Sequence, residues 1–224
     1  MLENLPGALG HALRDVRAGL DQIAFNQSNL RSGLAAITVS SLAFADHAPI
    51  PPRYTADGEG ISPPLQWHGV PAGAASLVLI VEDADAPTPR PLVHAILVDL
   101  PAEDGALAES ALKSPDHEGQ HLHEGRNSYL SVGWLPPDPP PGHGPHRYAF
   151  QIFAIGPDSV GEAFSDTPGR TALLDAVRER AIASGCLIGT YERPDASIPV
   201  GGAREISVAN ANANGIANGM AIAS

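Results

Sequence analysis

The sequence predicts a mainly β protein, an antiparallel β sandwich with Greek-key-like connections, together with an N-terminal helical extension and one late helix. Two observations lead to this fold class. The 224 residues include 23 Gly and 22 Pro, a content that is high for a helical protein and typical of a chain with many turns. From about residue 37 these turn residues recur at intervals of roughly 8 to 12 residues, and runs rich in β-branched side chains lie between them.

The predicted strands follow one another along the central part of the chain. They cover 37–44, 76–82, 93–100, 148–155 and 187–192. The sequence at 171–184 has a helical pattern instead, and Gly185 directly after it is predicted to be the C-cap of that helix. Strands at this spacing with one late helix favour an antiparallel sandwich or barrel over a repeated βαβ arrangement.

Residues 1–36 contain few turn signals and are predicted to form the helical extension. Apolar side chains from Leu9 to Ile37 recur at steps of three and four, as on one face of a helix. Gly19 and the polar run at 26–29 weaken the pattern, so two helices with a break fit it as well as one. This stripe either docks on the chain's own core or pairs with a second chain, and the second alternative predicts a homodimer through residues 9–37.

The C-terminal end of the chain differs in composition from the rest. Six Ala, four Asn and two Gly make up most of residues 208–224, and such low complexity provides little apolar material for a core. The predicted organisation is therefore a helical extension at 1–36, a sandwich domain at 37–193 and a low-complexity tail at 194–224.

The charge balance excludes some classes of partner. The net charge of −12 argues against a nucleic-acid binder and against docking on anionic lipids. Cys186 is the only cysteine, so there is no intramolecular disulfide, and we expect a buried, inert thiol. We find neither an apolar stretch long enough to span a membrane nor a signal-peptide pattern, and we therefore expect a cytoplasmic protein.

Several common chemistries lack their sequence motifs. The chain contains no G-x-S-x-G, no Walker loop and no G-x-G-x-x-G after a strand, so we expect no nucleotide cofactor. Three histidines at 117, 121 and 123 could bind a metal. Their spacing is not that of a helical zinc motif, and we interpret this segment as a solvated loop rather than a metal site.

Polar side chains that could form a site follow the strand at 76–82. Asp83 and Asp85 lie in a turn that continues to Pro87, and unpaired carboxylates at such a position cannot be buried without a large free-energy cost. His94 opens the next strand. These residues form either an ordinary turn beside a structural histidine or the polar wall of a cleft.

A second candidate group lies where a proline-rich loop enters the strand at 148–155. The loop includes Pro139 and Pro140, whose stiffness limits the entropy lost when a ligand binds. On the strand that follows, His146 and Tyr148 share one face with apolar residues. Polar tips above an apolar floor are typical of a ligand pocket.

Four motifs in this order resemble the phosphatidylethanolamine-binding protein family, and its bacterial Raf-kinase-inhibitor-like branch in particular. They are GEGISPPLQW at 58–67, DADAP at 83–87, His94 before a strand that ends in DLP, and HRY at 146–148 after PPPG. The resemblance implies a sandwich with a small anion-binding pocket at one end. It places Asp83, His94, His146 and Tyr148 in that pocket.

The resemblance also suggests how the neighbouring residues act. Asp85 and Pro87 would shape the turn, and the Ala86–Pro87 peptide bond is a candidate for the cis form. We expect His94 and His146 to face each other at the pocket rim, where they contribute little to the core, with Asp83 bonded to one of them. Asp138 stands where a glycine is common in the family, and its charge would repel an anion.

Two functions remain open at this level. The first is a binding protein for a small anion, a phosphate or a phospholipid head group, which could also modulate a protein partner. The ligand would contact Asp83, Asp85, Pro87, His94, Pro139, Pro140, His146 and Tyr148. The alternative is an enzyme in which Asp83, His94 and His146 perform acid/base chemistry on a small molecule.

Overall fold

Two β-sheets of unequal size pack face to face and enclose the main apolar core. The computed structural model describes residues 6–28, 35–114, 119–157 and 164–194. Its strands are β1 (Ala35–Ala36), β2 (Thr38–Ser40), β3 (Leu65–His68), β4 (Ser76–Asp83), β5 (Leu92–Leu100), β6 (Gly105–Leu107), β7 (His123–Glu124), β8 (His146–Ile155) and β9 (Ala181–Tyr191). Three α-helices accompany them, namely α1 (Gly7–Ala12), α2 (Ala24–Gln27) and α3 (Arg170–Arg180), with short 3-10 turns at Leu20–Gln22 and Pro52–Tyr54.

The sheet topology confirms the prediction of a mainly β sandwich. The larger sheet has the order β1-β9-β8-β4-β5-β7 and the smaller one the order β2-β3-β6. All pairings between these strands are antiparallel except that of β1 with β9. The inner face of the larger sheet packs on the smaller sheet, and α2 and α3 cover its outer face. Because both faces are covered, β4 is a nearly continuous apolar run rather than an alternating one.

The late helix is shorter than predicted. It ends at Arg180, and Ala181 already begins β9. Gly185 is therefore not a C-cap, and it pairs with Ile152 in the middle of the larger sheet. The smaller sheet crosses so close to Gly185 that an added Cβ would lie 2.8 Å from the Val39 side chain. Glycine is needed here because a strand passes over it. The local sequence pattern does not distinguish such a glycine from one that caps the end of a helix.

The N-terminal segment packs on the chain's own sandwich. In its described part this segment forms two short α-helices, α1 and α2, so the alternative of one continuous helix is wrong and the alternative of two helices with a break agrees with the structure. Ile23 and Ala24 are buried, and the backbone N–H of Ala24 donates to the Glu82 carboxylate (2.7 Å). Residues 29–34 lie outside the described part of the chain. The homodimer stays a prediction, although these buried positions of the stripe already have an intramolecular partner.

Two further expectations concern the thiol and the membrane. Cys186 is half-buried rather than fully buried as predicted. Burial nevertheless raises the pKa of its thiol to about 12, and this agrees with an inert thiol. None of the described helices has the length and apolar character needed to cross a bilayer. The cytoplasmic location stays a prediction. The predicted tail lies outside the described residues from position 195 onward.

Candidate functional site

The candidate site lies at one end of the larger sheet, where three strands bring the predicted residues together. Asp83 ends β4 and is the partner of Tyr148 near the beginning of β8. On the other side of β4, Asp83 pairs with Leu92 at the start of β5, which places His94 at the same end. Antiparallel pairing thus gathers residues that are more than 60 positions apart in sequence, as for Asp83 and His146.

A cavity of about 260 Å³ opens at this end of the sheet. Six of the predicted site residues line it, namely Asp83, Pro87, His94, Pro139, Pro140 and His146. Tyr148 is fully buried, and its ring lies 5.1 Å from the His94 ring and 6.4 Å from the His146 ring. Asp85 does not line the cavity. The volume suits a small molecule or one head group rather than a drug-sized ligand.

A row of hydrogen bonds connects Asp83 to the N-terminal segment through two histidines. Nδ1 of His146 lies 2.7 Å from Asp83 Oδ2, and Nε2 of His146 lies 2.7 Å from Nδ1 of His143. Nε2 of His143 then lies 2.9 Å from the backbone oxygen of Leu13. We call these groups, which are Asp83, His146, His143 and the Leu13 carbonyl, the histidine network.

The three hydrogen bonds of the histidine network need one hydrogen more than two neutral imidazole rings supply. A carbonyl only accepts, so Nε2 of His143 carries hydrogen, and each of the other two contacts needs a hydrogen as well. Two neutral imidazoles have two N–H groups for these three contacts. Burial, together with the nearby His146 and Arg17, lowers the pKa of His143. The third proton is therefore held between His146 and Asp83, as an imidazolium–carboxylate pair or as its neutral equivalent.

His94 has a different hydrogen-bonding state. Its Nδ1 lies 2.6 Å from the backbone oxygen of Leu135 and must donate to it. Burial lowers the pKa of His94, so the ring is neutral and its Nε2 is an acceptor. This Nε2 is buried and has no partner in the described part of the chain, and the same holds for the hydroxyl of Tyr148.

The two cavity histidines are not rim residues. The exposed fraction is 2% for His94 and 1% for His146, so the expectation that they contribute little to the core is wrong. Both line the same cavity, and Asp83 is bonded to His146. A substitution at either histidine must therefore be expected to affect folding as well as binding.

The turn residues after β4 attach the N-terminal segment. Asp85 accepts from the backbone and the guanidinium of Arg147 and lies 3.1 Å from Arg17. Burial by itself would raise the pKa of Asp85, but the hydrogen bonds from Arg147 outweigh it and hold the pKa below its usual value. All described peptide bonds are trans, so the cis form expected for Ala86–Pro87 is not found. Trans is the intrinsically favoured form, and nothing in this turn opposes it.

The charge of Asp138 is balanced by a neighbour. Nη1 of Arg193 lies 2.6 Å from Oδ1 of Asp138, and Arg193 also pairs with Asp57 at 2.8 Å. The expectation that Asp138 repels an anion from the cavity is therefore wrong in this simple form. No group of three or more metal-ligating side chains is found within the described ranges, from which His117 is excluded.

Comparison with known proteins agrees with this geometry. A sequence profile described as phosphatidylethanolamine-binding protein matches residues 40–192. The chain belongs to the phosphatidylethanolamine-binding protein family. The UPF0098 protein of Aquifex aeolicus is 34% identical over 174 residues, which cover 78% of this chain and 99% of that relative.

Two crystal structures of family members resemble the chain. The homologue CT736 from Chlamydia trachomatis is 35% identical and has a TM-score of 0.61. YbcL of Escherichia coli, described as a new member of the mammalian PEBP family, is 25% identical with a TM-score of 0.62. Each match covers 71% of this chain and 99% of the other.

Sequence reasoning missed several residues at this family member's site, among them Leu9, Leu13, Arg17 and His143. Leu9 and Leu13 line the cavity, and Arg17 donates to the backbone oxygens of His143 and Pro145. Leu9 and Leu13 stand four positions apart, so their shared helix face was a signal, but its partner surface lies far away in sequence. His143 stands between Gly142 and Gly144 in the proline-rich loop, and no local pattern indicates its contact with His146.

Proposed function

We propose that this protein binds a small ligand carrying a phosphate monoester or a similar protonated oxyanion in the cavity beside His94. The observation that carries the proposal concerns His94, which lines the cavity and whose Nε2 is buried and has no partner in the described part of the chain. A buried acceptor without a hydrogen bond costs about 1–3 kcal/mol, and a ligand that donates to it recovers this free energy.

The ligand must supply the proton for this contact. The His94 ring is neutral because burial lowers its pKa, so it cannot by itself attract an anion. A phosphate monoester in its singly protonated form has a P–O–H that donates to Nε2, and a phosphate keeps this proton up to a pH of about 6. Binding above that pH is therefore coupled to proton uptake, and affinity decreases as pH rises.

The walls of the cavity define the rest of the ligand. Leu9, Leu13 and the prolines of the loop give an apolar surface that fits a short alkyl or glycerol-like substituent. The prolines also keep the rim in place before the ligand arrives, which lowers the entropic cost of binding.

The geometry favours binding over catalysis. Both ring nitrogens of His146 are occupied within the histidine network, so this ring presents no free atom to a substrate. His94 is left as a single acid/base group without an aligned nucleophile among the described residues. General acid/base catalysis at phosphate needs a second group in reach of the same ligand.

The test compares His94→Asn with His123→Asn by isothermal titration calorimetry, with phosphoethanolamine and inorganic phosphate as ligands. Asparagine at position 94 can still donate to the Leu135 oxygen, but it lacks the Nε2 position. We expect affinity to fall at least about tenfold, which corresponds to about 1.4 kcal/mol. His123 is away from the cavity and bonds Asp99 through Nδ1, so His123→Asn is expected to bind as the wild type does.

Three results would contradict the proposal. The first is wild-type affinity in His94→Asn, and the second is absence of binding to the wild type at millimolar ligand. The third is steady release of inorganic phosphate from phosphoethanolamine, which would establish an enzyme instead.

A further inference from the structure

A second space adjoins the cavity and has a different character. This groove of about 770 Å³ lies between the segments 88–93 and 126–130 and the beginning of α3. Thr88, Leu92 and Tyr129 line both the groove and the cavity. These three residues form the boundary between the two spaces, so the cavity and the groove are direct neighbours.

The groove is locally cationic in an acidic protein. The whole chain carries a net charge of −12, yet the groove is lined by three arginines and, among its described lining residues, by no Asp or Glu. Arg170 is already used, because it pairs with the buried Glu82 at 2.6 Å. Arg90 and Arg126 are exposed and supply the positive charge of the groove.

These two guanidinium groups have donors to spare. Arg126 donates through Nε to Thr167 at 3.1 Å, and its terminal nitrogens have no acceptor among the described residues. The side chain of Arg90 likewise has no acceptor there. Guanidinium groups with unused donors bind carboxylate or phosphate oxygens, often in a bidentate arrangement.

The backbone holds Arg90 in place before a ligand arrives. Pro89 and Pro91 flank it, and the Thr88 hydroxyl donates to the Arg90 backbone oxygen at 2.6 Å. Thr88 N–H in turn donates to the Ala86 oxygen at 2.8 Å, within the turn that forms the cavity wall. The two spaces are thus connected by one ordered turn, so their relative position is defined.

We propose that the groove is a second anion subsite, so that the ligand is a soluble molecule with two anionic groups, one in the cavity and one on Arg90 and Arg126. The proposal rests on the proposed function of the cavity. A soluble ligand is favoured over a lipid in a bilayer because the net charge of −12 disfavours approach to an anionic membrane surface.

The experiment uses α,ω-alkane bisphosphonates of increasing chain length and the alkyl monophosphonates of the same lengths. At the chain length that spans the cavity and the groove, calorimetry at low salt is expected to show that the bisphosphonate binds about tenfold more tightly than the monophosphonate of the same length. This gain comes from the two exposed charge contacts with Arg90 and Arg126. Arg90→Ala combined with Arg126→Ala should remove this advantage and leave monophosphonate affinity unchanged. Arg178→Ala, an exposed arginine on α3 away from the groove, should keep it. Raising the salt concentration should reduce the advantage, since exposed charge contacts are screened.

The outcomes separate the two proposals. If the monophosphonate binds and depends on His94, but no bisphosphonate length binds more tightly, the second subsite is wrong and the proposed function stands. An advantage that survives the double arginine variant also overturns the subsite. If neither compound binds, both proposals are wrong. If only phosphate displayed on vesicles of phosphatidylcholine and phosphatidic acid is bound, the assignment of a soluble ligand is wrong.

Discussion

Replacing Asp83 with asparagine tests the proton count of the histidine network. In the wild type, Asp83 accepts from His146 through Oδ2 and from the Asp85 backbone N–H through Oδ1 at 2.8 Å. An asparagine can keep the second contact with its carbonyl oxygen and donate with its amide to Nδ1 of a neutral His146. All three contacts of the network are then made by two neutral rings, without the additional proton.

The two proteins should therefore respond differently to pH. The wild-type network loses a hydrogen from one buried contact when its additional proton leaves, and an unmade buried hydrogen bond costs about 1–3 kcal/mol. The free energy of unfolding of the wild type is therefore expected to decrease when this hydrogen bond is lost.

The proton count also predicts which of the two proteins is the more stable at each end of the pH range. At low pH the imidazolium–carboxylate pair of the wild type is the stronger contact, and Asp83→Asn is expected to be the less stable protein. As pH rises the wild type loses one contact of about 1–3 kcal/mol and the variant does not. The free energy of unfolding of Asp83→Asn minus that of the wild type is thus expected to increase towards alkaline pH.

Urea denaturation from about pH 5 to about pH 9, the range in which histidines titrate, measures this difference. Asp175→Asn on α3 removes the same charge from an exposed carboxylate whose nearest cation is an arginine, and it serves as the control. The ¹⁵N shifts of the imidazoles report directly which rings are protonated. A difference in stability that is constant over this pH range, together with unchanged imidazole shifts, would refute the assigned proton count.

Three further predictions concern the frame around the site. Glu82→Gln should lower the free energy of unfolding by about 3 kcal/mol or more, because it removes the buried carboxylate and leaves the Arg170 guanidinium without its counter-charge. Glu179→Gln on the exposed side of α3 should have little effect. Gly185→Ala should cost about 1–3 kcal/mol by pressing β9 against β2. Gly73→Ala is its control, since the nearest atom to the added Cβ lies at 3.8 Å. Truncation before Asp195 should leave the melting temperature and phosphate binding unchanged, and a loss of either would reveal a docked tail.

Much of the fold could be predicted from local features of the sequence. Strand positions follow from apolar runs between turn residues, because a strand buried on both faces needs no partner information to be recognised. The positions of Asp83 at the end of β4 and His94 at the start of β5 can also be predicted locally, because each is a polar residue next to a run of apolar residues. Their shared location follows from the pairing of neighbouring strands and from the resemblance in the motifs.

Other features depend on partners that are distant along the chain. The 181–184 segment has residues that suit a helix end, and only pairing with β8 makes it a strand. The local sequence around Asp138 offers no counter-charge, and its contact with the distant Arg193 balances the charge. In both cases the local free-energy preference is small, and long-range contacts exceed it.

The sequence alone therefore determined the fold class, the main strands and six of the residues that line the cavity. The tertiary structure decided their state. It placed the N-terminal segment over the cavity, joined His143 to His146 and left Nε2 of His94 without a partner among the described residues. The physical reason is that composition and periodicity record which side chains are buried, whereas proton positions and hydrogen-bond partners depend on atoms brought together across more than 100 residues, as for His143 and the Leu13 oxygen.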